Sequence, residues 1–199
     1  MQDPPYQFDR SGDHLALDFS NTVSGRRSGA LVEHLASYPD LLAFASQCEV
    51  LSPAEAHKLA ARARRSPGAA EEVLARACAL SDALYQLFAA IADQREAPAD
   101  ALVELNRAVG RLEIGADWRW TWSCAPGHLD DMLGPITIAA AQLLTGADRE
   151  RISMCAADDC AWVFLDTSKN HSRRWCDMKA CGNRAKARRF NARQQGERT

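Results

Sequence analysis

Apolar residues recur at steps of three and four positions through most of the first 145 residues, which is the spacing of helices that bury one face. Ser52-Pro53-Ala54-Glu55 adds a capping box with proline at the first helical position, and it predicts a helix that runs to about Arg65. Pro67 should end that helix. The body of the chain is therefore predicted to be helical, with further helices at residues 39–49, 70–95, 98–112 and 129–145.

Two stretches alternate apolar residues with small or polar ones, which is typical of strands. The first is DHLALDFSNTV at residues 13–23, and we expect a strand closed by a turn. The loop GRRSG follows it. A ligand pocket lined by Arg26, Arg27 and His34 is one interpretation of this segment, but we expect solvated loop charges. The second is WRWTW at residues 118–122. Together these patterns predict an α+β fold, mainly α, whose α-rich N-terminal domain carries a short β element.

The composition of the chain changes near residue 150. Residues 151–199 carry 11 Lys and Arg against 5 Asp and Glu, whereas residues 1–150 carry 13 against 21. The formal net charge of −2 thus hides an acidic body with a net charge of −8 and a basic tail with a net charge of +6. We predict two domains, residues 1–150 and 151–199, and the basic one favours a polyanionic partner.

Four of the seven cysteines lie in the tail, at Cys155, Cys160, Cys176 and Cys181. They form two C-x4-C pairs separated by fifteen residues, and two such pairs can fold around a tetrahedral Zn²⁺. Disulfides are the competing explanation. The chain shows neither a signal-peptide pattern nor an uninterrupted apolar run of membrane-spanning length, so we expect a cytoplasmic protein, which favours zinc. The other cysteines are predicted to be small buried thiols: Cys48, Cys78 and Cys124.

The tail reads as a small zinc finger. Between the cysteine pairs, AWVFLD at residues 161–166 and HSRRW at 171–175 are strand-like and joined by the polar turn TSKN. After Cys181 an Ala- and Arg-rich segment predicts a helix on which Phe190 packs inward. The order of knuckle, β-hairpin, knuckle and helix is that of a treble-clef-like finger, a knuckle being a short loop with two metal ligands. So short a tail needs its ion to fold, and four thiolates leave no position for water, which predicts one structural Zn²⁺.

The tail has more basic side chains than a metal centre needs. A zinc ion with four thiolates carries a net charge of about −2, so a few nearby cations would stabilise the finger itself. The remaining basic residues have two possible explanations. They could belong to a helix that is merely solvated, or they could form a surface that binds the phosphates of a nucleic acid, where binding strength comes from counterion release. The candidate nucleic-acid-binding residues are Lys169, Asn170, His171, Arg173, Arg174, Arg184, Lys186, Arg188, Arg189 and Arg193.

The tail segments C-x4-C, WVFLDTSKNHSRRWC and MKACGNRAKARRF closely resemble the CGNR zinc-finger family, named for Cys181-Gly182-Asn183-Arg184. LALDFSNTV and LLTGADRERISMC also resemble the ABATE domain that accompanies this finger, so the resemblance covers nearly the whole chain. It implies a stress-induced transcription regulator with a DNA-binding finger, and it makes the four tail cysteines the zinc ligands. It also implies close backbone approach at Gly182. For Arg184 it implies either a phosphate contact or an ion pair with Asp166.

We therefore expect a zinc-dependent, DNA-binding transcription regulator and not an enzyme, because the body shows no nucleophile, base or metal constellation. The acidic body is expected to sense a small-molecule effector or to form a homodimer, since a single finger would bind double-stranded DNA weakly. Two alternatives stay open. One is an RNA-binding protein that uses the same basic surface. The other is an enzyme or ligand-binding protein whose site lies in the N-terminal domain, beside a purely structural finger.

Overall fold

The computed structural model describes residues 6–115, 119–122 and 128–196. Within these residues, short antiparallel strand pairs accompany a predominantly helical body: β1 with β2, β3 with β4 and β5 with β6. The predicted α+β fold, mainly α, is confirmed. The elements are α1 (Leu15–Ser20), β1 (Val23–Ser24), β2 (Val32–Glu33), α2 (Tyr38–Gln47), α3 (Pro53–Arg65), α4 (Pro67–Ala92), α5 (Ala99–Val109), β3 (Leu112–Ile114), β4 (Trp120–Trp122), α6 (Leu133–Thr145), β5 (Ile152–Met154), β6 (Val163–Leu165) and α7 (Asn183–Gly196).

Helix α4 is the centre of the core. It packs against α1, α2, α3, α5 and the β5–β6 hairpin, and its Ala77, Leu84 and Phe88 are completely buried. Among the described residues, α4 is the one helix long and apolar enough to cross a membrane. Half of its apolar stretch is buried inside the protein, however, as expected for the core helix of a folded domain.

Local signals place most of the helices correctly. The capping box at α3 is present: Glu55 N donates to Ser52 Oγ at 3.3 Å, and Ser52 N donates to the Glu55 carboxylate at 2.8 Å. Helix α3 ends at Arg65, and Pro67 opens α4 almost at once. The strand predicted at residues 118–122 is confirmed for β4, whereas Trp118 lies outside the described residues.

The strand predicted at residues 13–23 is wrong, because Leu15–Ser20 forms helix α1. His14 caps it by accepting a hydrogen bond from Ala16 N at 3.3 Å. The helix packs against α4, α6 and β6, so residues on every side of it are buried, from Ala16 through Ser20. An alternating pattern cannot identify the secondary structure of such a segment, because five of its six residues are buried whichever way they point.

Candidate metal centre and its basic surroundings

The four tail cysteines converge on one buried point. Their Sγ atoms all lie within 4.8 Å of one another. The Sγ–Sγ distance is 3.7 Å between Cys160 and Cys176 and 3.6 Å between Cys176 and Cys181. A tetrahedral zinc ion with bonds of about 2.3 Å holds its sulfurs about 3.8 Å apart, whereas a disulfide requires about 2.05 Å. The set therefore fits one structural Zn²⁺, bound by Cys155, Cys160, Cys176 and Cys181.

The protonation of these sulfurs also calls for a cation. Hydrogen bonds from the thiols of Cys160 and Cys176 hold the pKa of Cys155 below its usual value. The same contacts raise the pKa of Cys176, because a second thiolate beside the first is unfavourable. Four thiolates this close together need a positive charge among them, and a dication supplies it.

Polar groups outside the cysteine cluster donate to its sulfurs. The backbone amide of Trp162 donates to Cys160 Sγ at 3.4 Å, and Arg184 Nη2 donates to Cys181 Sγ at 3.1 Å. Hydrogen bonds of this kind orient the ligands and offset the excess negative charge of a zinc tetrathiolate. Arg184 thus serves the metal centre directly.

The first cysteine pair lies in the connection of a β-hairpin. Strands β5 and β6 are antiparallel, and Cys155 and Cys160 lie between them. The Cys155 amide donates to the Trp162 carbonyl at 2.8 Å and closes the loop. The strand predicted at residues 171–175 does not form, since β6 pairs with β5 instead. An alternating pattern predicts an extended backbone but cannot identify the strand it pairs with.

A buried carboxylate organises the loop that replaces the missing strand. Asp166 is 2% exposed and accepts hydrogen bonds from Ser168 N at 2.9 Å and from Arg173 N at 3.0 Å. Burial alone would raise the pKa of Asp166, but these hydrogen bonds and that of the Ser168 hydroxyl hold it below its usual value. Asp166 therefore holds the loop by its backbone and is not the partner of Arg184.

The second cysteine pair leads into helix α7. A π-helical turn, Met178–Gly182, carries Cys181 and opens with Asp177, whose carboxylate accepts from Lys179 N at 2.7 Å. A Cβ atom on Gly182 would lie 2.5 Å from Met178 Sδ. The nearest atom is therefore the end of a flexible side chain, and the close backbone approach that the family resemblance implies at Gly182 stays a prediction.

The hairpin of the finger is hydrogen-bonded to the N-terminal body. The Asn21 side chain donates to the Val163 carbonyl at 2.8 Å and accepts from the Val163 amide at 3.0 Å, as a neighbouring strand would. Trp162 Nε1 donates to the Val23 carbonyl at 3.2 Å. Val163 also belongs to the main apolar core together with Leu165. The finger and the body therefore share backbone pairing as well as core.

Side chains from the body also reach the first knuckle. Tyr85 Oη donates to the Ala161 carbonyl at 3.0 Å, and Arg27 Nη1 donates to the Ala157 carbonyl at 3.0 Å. Arg26 lies 3.7 Å from the Tyr85 ring centre, with its side chain only 12% exposed. The expectation that the loop arginines are solvated is wrong for Arg26, whereas Arg27 is exposed although its guanidinium also contacts the finger.

Arg173 is part of this junction and is not an open phosphate ligand. Its guanidinium donates to the Ser11 carbonyl at 2.9 Å and to the Leu165 carbonyl at 3.2 Å, and it pairs with Asp13. It also lies 4.5 Å from the Phe164 ring centre. These contacts occupy its donors inside the protein, so the structure disfavours its predicted role in nucleic-acid binding.

Two further candidates are paired with acidic residues of the first knuckle. Arg188 forms ion pairs with Asp158 at 3.2 Å and Asp159 at 2.7 Å, and Arg184 Nε lies 3.5 Å from Asp159. Although burial would raise the pKa of Asp159, the hydrogen bond from Arg188 and the charge of Arg184 lower it. These cations compensate charge within the finger, as expected for a few of the basic residues.

The remaining candidates are exposed. Arg174 and Arg189 lie over the Trp175 ring, 5.4 Å and 6.0 Å from its centre, and Lys186 precedes Arg189 by one turn of α7. We call Arg174, Lys186 and Arg189 the Trp175 basic patch. The polar loop before it adds exposed Lys169, Asn170 and His171, while Arg193 lies in α7 with its side chain outside the described atoms.

The prediction that Phe190 packs inward is wrong. Its side chain is 61% exposed on α7, and Met178 on the preceding turn is 50% exposed. Trp162 and Trp175 are partly buried and pack against the cysteine cluster with fully buried Phe164. The small apolar centre of the finger thus consists of aromatic rings around the metal site, and α7 contributes little to it.

Comparison with known families gives two adjoining matches. Residues 13–147 match the ABATE family, whose description is "Putative stress-induced transcription regulator". Residues 151–194 match the CGNR zinc finger, and this range contains all four clustered cysteines. Among curated proteins, none matches the chain at a significant level. The family resemblance inferred from the sequence is confirmed.

Proposed function

This chain belongs to the ABATE family and carries a CGNR zinc finger, and we propose that it is a zinc-dependent transcription regulator that binds double-stranded DNA. The family membership and the metal centre support a zinc-finger regulator. The observation that carries DNA binding is the Trp175 basic patch, which presents three exposed cations beside the metal site.

The patch is suited to phosphates. Within the described residues, neither Arg174 nor Lys186 forms an ion pair, and the guanidinium contacts of Arg189 are with the Ala185 carbonyl and the Trp175 ring. A charge that no carboxylate neutralises can displace counterions from a phosphate backbone, whereas Arg188 is already neutralised. The exposed donors of Lys169, Asn170 and His171 extend the surface along the neighbouring loop.

Duplex DNA is favoured over RNA because most aromatic faces of the finger are covered. Sequence-specific RNA recognition uses open aromatic faces on which unpaired bases stack. Trp175 is partly buried and lies beneath two arginines, and Trp162 donates its indole N–H to the body. Among the described aromatic residues of the finger, Phe190 alone is largely exposed, at 61%. RNA binding is therefore the alternative that the experiment below must separate.

The body is proposed to form a homodimer and to bind an effector. Exposed apolar side chains lie on the β3–β4 pair and on α5: Ile114 at 60%, Trp120 at 51% and Val103 at 58% exposure. Ile114 and Trp120 are cross-strand neighbours, and adjoining exposed apolar side chains of this kind are typical of interaction surfaces. Light scattering of the purified, zinc-loaded chain tests the dimer, which a monomeric mass would refute.

DNA binding is tested by fluorescence anisotropy of a labelled mixed-sequence duplex between 50 and 200 mM salt, with a structured RNA of equal length measured in parallel. We expect affinity for the duplex to fall steeply with salt and to exceed that for RNA. Arg174→Ala combined with Arg189→Ala should weaken binding and reduce the magnitude of the salt slope by about 2, or about one per lost phosphate contact.

The control variant combines Arg64→Ala with Arg65→Ala in α3, which removes two exposed arginines from the body and leaves the finger intact. It should bind the duplex as the unaltered chain does. Equal losses in both double variants would mean that only overall charge matters. Tighter binding to RNA than to the duplex would replace this proposal with the RNA alternative.

A further inference from the structure

A pocket of about 300 Å³ opens beside helix α1. It is lined by residues of the N-terminal segment and of the end of α2: Arg10, Asp13, His14, Leu15, Asp18 and Cys48. The metal centre and the basic residues of α7 contribute nothing to its walls. It is therefore separate from the site described above.

The pocket contains a buried carboxylate with one oxygen unengaged. Asp18 is 7% exposed, and its Oδ1 accepts a hydrogen bond from Gly12 N at 2.8 Å. Among the residues the structure describes, Oδ2 has no hydrogen-bond partner and the carboxylate forms no ion pair, and Oδ2 keeps contact with the open pocket. Burial of the carboxylate is unfavourable, and the charge of Arg10 on the same pocket wall offsets only part of that penalty. An asparagine would accept the same Gly12 hydrogen bond, so the backbone alone does not require a charge at this position.

The local backbone fits the carboxylate closely. A Cβ atom on Gly12 would lie 2.7 Å from Asp18 Oδ1 and 3.0 Å from Leu17 Cβ, so only glycine lets the amide approach this oxygen without displacement. The arrangement fixes one oxygen of Asp18 and leaves the other directed to the pocket. Burial raises the pKa of Asp18 to about 7, so the site is poised between its neutral and its charged form.

We propose that this pocket binds a small organic cation through an ammonium group that donates hydrogen bonds to Asp18. A primary ammonium supplies both the charge and the donors that Oδ2 lacks. Leu15 and Cys48 offer apolar surface for a short carbon chain, whereas the nearby Asp13 carboxylate is already paired with Arg173. Arg10 lies at the wall, where its guanidinium donates to the Gln47 carbonyl at 2.8 Å.

A metal ion fits this pocket less well. In the described part of the chain, the tail cysteines form the one group of three or more ligand side chains whose donor atoms converge closely enough to hold an ion. The carboxylates and the imidazole around Asp18 do not converge in this way. A ligand that brings its own hydrogen-bond geometry, such as an amine, suits a single buried acceptor better.

The pocket is connected to the finger by short contacts. Gly12 donates to Asp18 through its amide, while its carbonyl accepts from the Leu165 amide of β6 at 2.9 Å. Asp13, on the pocket wall, pairs with Arg173 beside the second knuckle. The inference deepens the proposed function and rests on it in one respect: an effector bound here would alter DNA binding through these contacts.

The test is an NMR titration of the ¹⁵N-labelled, zinc-loaded chain with n-butylamine at pH 8, without DNA. We expect saturable amide shifts centred on Gly12 and reaching Leu165. Asp18→Asn should weaken binding at least tenfold, while its spectrum reports whether the fold is retained. The matched control is Asp100→Asn, an exposed carboxylate on α5, which should bind the amine unchanged.

Two comparisons decide the outcome. 1-Butanol has the same chain without the charge and should cause no saturable shift at Gly12. Equal binding of butylamine to the chain and to Asp18→Asn, or shifts spread evenly over the acidic surface, would overturn the proposal. Because DNA is absent, a failure here says nothing about the duplex-binding experiment, and a failure there leaves this titration valid.

Discussion

Asp18→Asn should stabilise the protein at alkaline pH. Asp18 is buried, and the loss of solvation raises the pKa of its carboxyl group from 3.8 to about 7. The Gly12 hydrogen bond and the charge of Arg10 oppose this rise, whereas Asp13 and Asp9 reinforce it. Cys48, from the end of α2, also borders the pocket as a thiol whose pKa is raised to about 11, so it adds no charge at pH 8.

The sign follows from proton binding. Between pH 3.8 and about 7 the folded chain keeps a proton on Asp18 that the unfolded chain has released, so the free energy of unfolding falls as the pH rises. The full contribution is present below 3.8 and is lost above 7. Each pH unit in that interval is worth about 1.4 kcal/mol, so from pH 5 to pH 8 the loss amounts to about 2–3 kcal/mol. Asparagine does not ionise, so Asp18→Asn does not undergo this loss of stability.

Urea unfolding of the two zinc-loaded chains at pH 5 and at pH 8 measures this difference. Taking the difference between variants at each pH cancels the pH dependence of zinc binding, which both share. Asp18→Asn should gain about 2–3 kcal/mol relative to the unaltered chain on going from pH 5 to pH 8, and Asp100→Asn should gain nothing. If the difference in unfolding free energy between the two chains did not change with pH, the conclusion that ionisation of buried Asp18 destabilises the fold would be refuted.

Three other perturbations probe the junction of finger and body. Cys176→Ser, or zinc removal by a chelator, should lower the melting temperature of the body as well as of the finger, because β6 lies in the main core. Circular dichroism melts measure this, and an unchanged melting temperature of the body would contradict the prediction. Asn21→Ala should cost about 2–4 kcal/mol by leaving both backbone groups of Val163 unpaired, whereas exposed Asn106→Ala should change the unfolding free energy by under about 0.5 kcal/mol. Tyr85→Phe removes one partly buried hydrogen bond and should cost about 1 kcal/mol in the same urea assay.

Local signals were sufficient for the longer helices and for the metal ligands. The capping box at Ser52 and the apolar periodicity of α4 involve only neighbours in sequence, and both predictions are confirmed. The spacing of the cysteines likewise reflects the reach of a short loop around one ion. Such features need no knowledge of the rest of the fold.

Tertiary packing decided the features that the pattern missed. Helix α1 has only six residues and is buried on every side, so its sequence carries no amphipathic period. Arg173 and Arg174 are neighbours in sequence, yet Arg173 is held by Ser11 and Leu165 while Arg174 is exposed. A count of basic residues cannot distinguish these two environments, because the partners of Arg173 lie more than a hundred residues away or across a loop.

The same packing changes how the finger must be regarded. A module joined by a flexible linker would bind its metal and its DNA independently of the body. Here Asn21 pairs with β6, Tyr85 reaches the first knuckle, and Arg173 joins the second knuckle to the segment beside Asp18. Because each contact connects a different part of the body to the finger, the finger cannot shift against the body without breaking several of them. The zinc ion therefore stabilises the surface on which the ABATE body packs, and the proposed ligand of the body would act on a structure that already includes the finger.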